Sequence, residues 1–182
     1  MSWLDRLEHF FQDRLEAIEA RDALEHCYEL ERLLPRRLVA RRYCPNRIVL
    51  PEPLPQALLN EFEQEAARRG WVVAAAWHQQ LGQTELEFAY PGRPAADYLV
   101  EVTAGLGVGK CALVDRSRAS VVGRAEDAEL RLGYPGLSRR HLELTVSEGG
   151  LRVTTPGLTS HWPAGKDYEI EGSRLRLWPI RT

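Results

Sequence analysis

The chain has 182 residues, of which 44% are hydrophobic and 27% charged, and its formal net charge is −2. This composition indicates a globular protein with a buried core, long enough for one large domain or two small ones. The near-neutral charge excludes a general electrostatic case for binding nucleic acid or a membrane surface. Three widely separated cysteines, Cys27, Cys44 and Cys111, argue against both a disulfide framework and a zinc site.

The N-terminal stretch carries acidic residues early and has no long apolar core, so it does not resemble a signal peptide. No window reaches the ~20 apolar residues that a membrane-spanning helix needs. We therefore expect a cytoplasmic protein with reduced thiols and no membrane insertion.

The first half of the chain shows mainly helical periodicity. Apolar residues recur at helical spacing from Trp3 to about Leu34, and Pro35 ends the run. A further helix is predicted over 54–69. Residues 1–91 are thus predicted to form an α+β domain in which helices pack on a small sheet. Its strands are predicted at three runs, the last two joined as a hairpin near Gly82: Asn46–Leu50, Trp71–Trp77 and Thr84–Tyr90.

The pattern changes after Tyr90. Residues 92–96 lie in a segment punctuated by Pro and Gly and are predicted to be a linker. Beyond it, short alternating runs separated by turn residues are typical of an all-β sandwich, predicted over 97–182. Eight strands are predicted: Tyr98–Val102, Lys110–Val114, Ser120–Val122, Glu129–Leu132, Leu142–Val146, Leu151–Thr155, Tyr168–Ile170 and Arg174–Leu177.

The most specific signal of the β-rich half is a pair of short motifs. Val122-Gly123-Arg124 is followed, thirteen residues after the arginine, by Leu137-Ser138-Arg139-Arg140-His141. At this spacing the chain resembles a forkhead-associated (FHA) domain over roughly residues 97–178. FHA domains are β-sandwich modules that bind phosphothreonine peptides, so the resemblance implies that fold and that class of ligand.

The resemblance also implies roles for individual residues. In FHA domains the arginine of the Gly-Arg pair reaches the phosphate, which points to Arg124, and Gly123 is a structural residue of the motif. The serine of Ser-x-x-His binds the phosphate, which points to Ser138, and the next residue, Arg139, adds a basic contact. His141 is implied to tie the binding loops together. Arginine suits a phosphate dianion because it can donate two parallel, charge-assisted hydrogen bonds.

The chain departs from the FHA pattern further on. There the family has a Ser-x-Asn-Gly segment whose Asn grips the peptide main chain, preceded by a Thr that helps to form the phosphothreonine pocket. Alignment places Thr159 on that Thr, Ser160 on the Asn and His161 on the Gly. A serine can still form hydrogen bonds but lacks the paired donor and acceptor of an amide. Thr159 and Ser160 are nevertheless predicted to contact the peptide.

A second resemblance covers about residues 1–91. The run Tyr43-Cys44-Pro45-Asn46-Arg47-Ile48-Val49-Leu50 and the predicted helix that ends before Gly70-Trp71 are similar to an uncharacterised α+β domain. That domain precedes FHA domains in some bacterial proteins of cell-wall and kinase signalling. The order of the two halves matches that architecture.

No catalytic constellation is apparent. The five histidines show no metal-binding HxxxH or HExxH spacing, and Gly105-Leu106-Gly107-Val108-Gly109-Lys110 does not match a phosphate-binding loop. We therefore predict a non-enzymatic adaptor without cofactor or metal, whose partner is a phosphothreonine protein modified by a Ser/Thr kinase and not a nucleic acid. The alternative is a scaffolding or dimerisation protein whose FHA half no longer binds phosphate, and the homo-oligomeric state stays open.

Overall fold

The structure, a computed structural model, describes residues 43–50, 67, 70–76, 78–81 and 85–180. The helical run predicted from Trp3 lies outside these residues. So does the helix predicted over 54–69, apart from Ala67, which is helical. Residues 85–180 form strands and turns without a helix. The predicted α+β domain is therefore described here through its strands alone.

The strands of the first half form two small sheets. Strands β1 (Tyr43–Cys44) and β3 (Val72–Val73) pair in parallel. Strand β2 (Arg47–Leu50) lies between β4 (His78–Leu81), which is parallel to it, and β5 (Glu85–Glu87), which is antiparallel.

The predicted hairpin near Gly82 is therefore wrong. The strand predicted over Trp71–Trp77 is shorter, and the two strands beside the turn, β4 and β5, both pair with β2 and not with each other. A hairpin is inferred from local pattern, whereas the pairing here depends on a segment about 30 residues earlier in the chain. Arg47 lies opposite Glu87 across β2 and β5, and the two side chains form an ion pair.

The second half forms two sheets, and this confirms the predicted β-sandwich. The first sheet has the order β13-β14-β6-β7 and the second the order β12-β11-β10-β8-β9. All pairings are antiparallel except that of β8 with β9. The strands are β6 (Tyr98–Ala104), β7 (Cys111–Val114), β8 (Ser120–Gly123), β9 (Leu130–Arg131), β10 (Leu142–Ser147), β11 (Gly150–Thr155), β12 (Leu158–Pro163), β13 (Asp167–Ile170) and β14 (Ser173–Pro179).

All eight strands predicted for this half are present, and β12 is the one that sequence pattern missed. Most of the predicted strands alternate between apolar and polar residues, because the inner face of each sheet packs against the other sheet. Strand β12 lies at a sheet edge, and its first four residues are exposed, so it carries no such pattern. The main core consists of inward-facing side chains from both sheets, among them Val100, Val102, Leu144, Leu151, Val153, Leu175 and Leu177.

A second apolar cluster covers the opposite face of the β13-β14-β6-β7 sheet. Leu99, Leu113 and Trp178 project from that face and pack with Tyr43 and Phe88 from the first half of the chain. This sheet is therefore buried on both sides by parts of the same chain, and its outer face is not free for a partner at these positions.

The residues predicted to be a linker lie against the sandwich. Ala96 is fully buried, and its N–H donates to the carbonyl oxygen of Phe88 at 2.7 Å. The Arg93 guanidinium lies 2.7 Å from the buried carboxylate of Asp115. The first contact ties the connection to the first half of the chain, and the second ties it to the β-rich half. The predicted division into domains at 1–91 and 97–182 stays a prediction.

Asn46 joins three separate segments of the first half. Its side chain is completely buried; Nδ2 donates to the carbonyl oxygens of Ala76 (3.1 Å) and Ala89 (2.6 Å), and Oδ1 accepts the N–H of Ala89 (2.9 Å). Its backbone N–H donates to Glu87, and its carbonyl accepts the N–H of His78. Asn46 therefore satisfies the buried N–H and carbonyl of Ala89 and a part-buried carbonyl of Ala76.

Burial also changes the chemistry of two thiols. It raises the pKa of Cys44 from its ordinary value of 9.0 to about 12, and it raises the pKa of Cys111 to about 12 with a further contribution from the charge of Glu101. Because the pKa is raised by about three units, the thiolate fraction of each at pH 8 is roughly 1,000-fold below that of an ordinary cysteine. The thiolate is the reactive form, so both thiols should react slowly.

We therefore expect iodoacetamide at pH 8 to leave Cys44 and Cys111 of the folded chain unmodified and to alkylate both in urea, as read by peptide mass mapping. Because the unfolded chain would ionise these thiols first, their contribution should also reduce stability as the pH rises from about 9 towards about 12. Rapid alkylation of Cys111 in the folded chain would contradict this description.

Candidate functional site

Several connections meet at one end of the sandwich, which we call the loop end. Strand β8 ends where β10 begins, because the two are antiparallel with Val122 opposite Leu142. The turn between β11 and β12 lies at the same end of the sheet. The glycine-rich connection 105–109 of the other sheet also reaches it, since the N–H of Leu106 lies 3.4 Å from the hydroxyl of Tyr134.

Backbone hydrogen bonds join the two motifs of the sequence at the loop end. The N–H of Arg124 donates to the carbonyl oxygen of Ser138 (3.2 Å), and the N–H of Ala125 donates to that of Arg139 (3.1 Å). The N–H of His141 donates to Val122 beside them (2.9 Å). The fold thus brings Arg124, Ser138 and Arg139 together, and these bonds hold their backbones in one arrangement.

Gly123 allows this close approach. A Cβ atom at this position would overlap the carbonyl oxygen of Arg139 and crowd the N–H of His141. The glycine of the Gly-Arg pair is therefore required by the space between two backbones.

Replacing Gly123 by alanine should therefore disturb both stability and site. We expect the free energy of unfolding to fall by about 1–3 kcal/mol, because the added methyl group forces the 138–141 backbone away from β8. Denaturant titration measures the loss, and shifted amide resonances of Arg124 and Arg139 would locate it. Gly133→Ala is the matched control, since a Cβ there meets no atom within 4 Å. Equal stability of the two variants would contradict the explanation.

The arginine side chains at the loop end differ in whether they already form an ion pair with a carboxylate. The guanidinium of Arg140 lies 3.2 Å from the carboxylate of Glu143 and 3.8 Å from that of Asp127. Arg124 and Arg139 are exposed, and neither has a carboxylate partner among the residues that the structure describes. The Ser138 hydroxyl is likewise exposed. Two guanidinium groups and a hydroxyl donor are thus available to an anion.

Glu129 supports the loop that carries Arg124, a role that sequence reasoning did not assign. Its Oε2 accepts the N–H of Val121 on β8 (2.7 Å), and its Oε1 accepts a hydrogen bond from Arg118 (2.9 Å). Val121 precedes the 124–128 loop and Glu129 follows it, so this hydrogen bond holds the two ends of the loop together. In the sequence, Glu129 stands out only as an acidic residue directly before the apolar-x-apolar run Leu130–Leu132. That it bonds to Val121 is known only from the fold.

The structure places Thr159 and Ser160 on a regular strand rather than in a loop. Thr159 lies opposite Thr154 and Ser160 opposite the buried Val153, so the two side chains project to opposite faces of the sheet. Strands β11 and β10 lie between β12 and β8, which leads to Arg124. The structure thus does not bring this pair together in one pocket, and the peptide contacts of Thr159 and Ser160 stay predictions.

His141 contacts its surroundings through its backbone. Its N–H bonds to Val122, and its imidazole has no hydrogen-bond partner within the part of the chain that the structure describes. The link between the loops that the FHA resemblance assigns to this histidine is made here by main-chain atoms of 122–125 and 138–141. The structural role of the side chain stays a prediction.

Within the described ranges, no group of three or more His, Cys, Asp or Glu side chains is arranged to hold a metal ion. No helix among those residues is long and apolar enough to cross a membrane.

A scan against protein-family models matches none, and a search of the curated proteins finds no match. Among solved structures, the chain is similar to the Mycobacterium tuberculosis Rv1747 FHA-1, with 20% identity over 46% of this chain and 96% of that chain and a TM-score of 0.40. It is similar to the FHA domain of the CT664 protein from Chlamydia trachomatis, with 17% identity, 44% and 95% coverage and a TM-score of 0.40.

A further similar structure is the cytoplasmic domain of the T3SS sorting platform protein PscD from P. aeruginosa, with 16% identity, 47% and 82% coverage and a TM-score of 0.38. Each similarity covers less than half of this chain. These similar structures include FHA domains.

Proposed function

We propose that this protein is a non-enzymatic module that binds phosphothreonine peptides at the loop end of its sandwich. The observation that supports the proposal is the convergence of Arg124, Ser138 and Arg139 on backbones joined by hydrogen bonds, with both guanidinium groups unpaired among the described residues. Two arginines that lack a carboxylate partner among the described residues and lie on fixed loops suit a negatively charged ligand.

The proposed contacts follow from the chemistry of the groups. A phosphate ester carries close to two negative charges and three acceptor oxygens. The guanidinium of Arg124 would donate two parallel hydrogen bonds to it, the hydroxyl of Ser138 one, and Arg139 would neutralise the remaining charge. Because the two loops are already bonded to each other, little backbone order would have to be gained on binding.

The biological setting is the finer part of the proposal and rests on the two resemblances. They suggest a cytoplasmic adaptor in bacterial Ser/Thr kinase signalling, related to the cell wall or to division. Its partner would be a phosphothreonine-containing kinase substrate.

The test is a pull-down of an oriented phosphothreonine peptide library by the full chain at fixed ionic strength. We expect enrichment of a sequence class and loss of retention after phosphatase treatment. A mutant chain with both Arg124 and Arg139 replaced by alanine should retain nothing above background. Equal retention before and after phosphatase treatment would contradict phosphate recognition.

The second candidate is a scaffolding protein whose sandwich no longer reads phosphate. It is favoured by the tight β11–β12 turn at Pro156-Gly157 and by the opposite orientation of Thr159 and Ser160, where FHA domains grip the peptide main chain. For this candidate, partners recovered from cells should be the same with and without phosphatase, and recovery should not depend on Arg124.

A further inference from the structure

Strand β12 is an exposed edge of the five-stranded sheet. It is six residues long, and Leu158, Thr159, Ser160 and His161 are all exposed. None of its six residues is an acid, lysine or arginine, and its one proline is the last residue, Pro163. Long, uncharged edge strands are the ones that pair with a strand of another chain.

The other edge strands of the sandwich are shorter than β12, and β13 among them is charged. Strand β9, at the opposite edge of the same sheet, has only two residues. Strand β7, at one edge of the other sheet, is uncharged but has only four residues, of which three are buried. Strand β13 carries Asp167 and Glu169, which bond to Arg176 and Arg174 of the neighbouring strand. Of the sandwich edges that the structure describes, β12 thus combines the greatest length with the absence of charge.

The register shows which backbone groups of β12 point outward. Thr155 and Leu158 close a two-residue turn, so their N–H and C=O groups face each other. In an antiparallel ladder this orientation alternates, and Ser160 and Trp162 therefore also direct their groups towards β11. Thr159 and His161 direct an N–H and a C=O each away from the sheet.

We propose that two copies of this chain associate through antiparallel pairing of their β12 strands about a two-fold axis at Ser160. In this register Thr159 of each copy lies opposite His161 of the other, and both residues present outward N–H and C=O groups. Two such pairs form four hydrogen bonds. The two sheets would then become one continuous ten-stranded sheet.

The same register brings together complementary side chains. Leu158, which is 66% exposed, comes directly opposite Trp162 of the second copy on the same face of the sheet. The Trp162 ring is held by stacking on Tyr168 with 4.2 Å between ring centroids. Aromatic–aliphatic pairs across strands are stabilising. The pairing thus satisfies backbone groups and covers an exposed leucine in each copy.

A second copy is favoured over a different partner because the strand is complementary to itself. Every opposed pair in the two-fold register is compatible: Leu158 with Trp162, Thr159 with His161, and Ser160 with Ser160. The edge lies apart from Arg124, since strands β11 and β10 separate β12 from β8. Pairs of six-residue strands bury less than the ~1,600 Å² of a standard interface, so we expect a weak dimer with a dissociation constant of roughly 10–100 µM.

Sedimentation equilibrium of the full chain between about 1 and 300 µM tests the proposal. We expect monomer at the low end and dimer at the high end. Because Ser160 lies opposite itself, Ser160→Asp and Ser160→Lys should each remain monomeric through repulsion of like charges. An equimolar mixture of these two variants should associate again, at least as tightly as the unmodified chain.

Thr154→Lys is the matched control, since Thr154 is exposed on the neighbouring strand β11 but does not lie at the edge. It should dimerise like the unmodified chain. Independently of any variant, hydrogen exchange at the amides of Thr159 and His161 should slow as concentration rises. A chain that stays monomeric at 300 µM, or one whose dimer persists unchanged in both Ser160 variants, would overturn the proposal; pairing with an added extended peptide but not with itself would also do so.

Discussion

Replacing Arg124 by alanine is expected to weaken binding of the selected phosphothreonine peptide at least about 100-fold. The substitution removes two charge-assisted hydrogen bonds to the phosphate, together worth roughly 3 kcal/mol. The fold should be unaffected, because the Arg124 side chain has no ion-pair partner among the described residues and only its backbone holds the loop. Fluorescence anisotropy with a labelled peptide at fixed salt measures the change.

Two variants make this result specific. Arg124→Lys keeps the charge but cannot donate two parallel bonds, so we expect an intermediate loss of about 10-fold. Arg152→Ala removes another exposed guanidinium without a carboxylate partner in the described chain, but from strand β11, and should change affinity less than 2-fold within the roughly 0.5 kcal/mol of an ordinary surface substitution. Equal losses for Arg124→Ala and Arg152→Ala would mean that net charge alone accounts for binding.

Replacing Asn46 by alanine is expected to be the most destabilising of the substitutions considered. It deprives the buried N–H and carbonyl of Ala89 of their hydrogen bonds to the side chain, each lost partner costing about 1–3 kcal/mol, and it removes a third, part-buried bond to the carbonyl of Ala76. We expect a loss of roughly 3–5 kcal/mol. Thermal unfolding followed by circular dichroism, together with hydrogen exchange at the Ala89 amide, measures it.

The control for Asn46 is a polar residue on an exposed face. Thr145→Ala on strand β10 should change stability by about 0.5 kcal/mol or less, because its side chain is exposed. Asn46→Asp retains an acceptor for the Ala89 N–H but loses both donors and buries a charge, so it should resemble Asn46→Ala. If Asn46→Ala unfolds within a degree of the unmodified chain, the buried side chain does not hold these segments together.

The two halves of the chain differ in how far their fold follows from local pattern. In the second half every predicted strand is present, because these strands direct apolar residues such as Val100 and Val102 into the core between the sheets. In the first half the strands near Val72 and Glu85 were located, but their partners were not. There β4 and β5 both pair with β2, and Arg47 on β2 forms an ion pair with Glu87 on β5. These contacts join segments that are distant in sequence, so local pattern does not predict them.

The predicted site residues also differ in how far the fold agrees with the sequence. The spacing of Gly123-Arg124 and Ser138 identified residues that the fold does bring together, and backbone hydrogen bonds explain why the pattern has that glycine. Thr159 and Ser160 were placed by alignment with the Ser-x-Asn-Gly segment of FHA domains and the Thr before it, whereas the chain turns in two residues at Pro156-Gly157 and continues as a strand. The alternation of a strand then directs neighbouring side chains to opposite faces.

Residue types and their periodicity are enough to locate eight of the nine strands of the sandwich, because alternation and turn residues act over a few neighbouring positions. The arginines and the serine of the loop end were located by the resemblance to FHA domains. Three features depend on contacts between distant segments: the packing of Tyr43 and Phe88 on the outer face of a sheet, the support of β8 by Glu129, and the exposure of β12 at an edge. Only the folded chain decides these, since which segments become neighbours depends on burying all apolar faces at once.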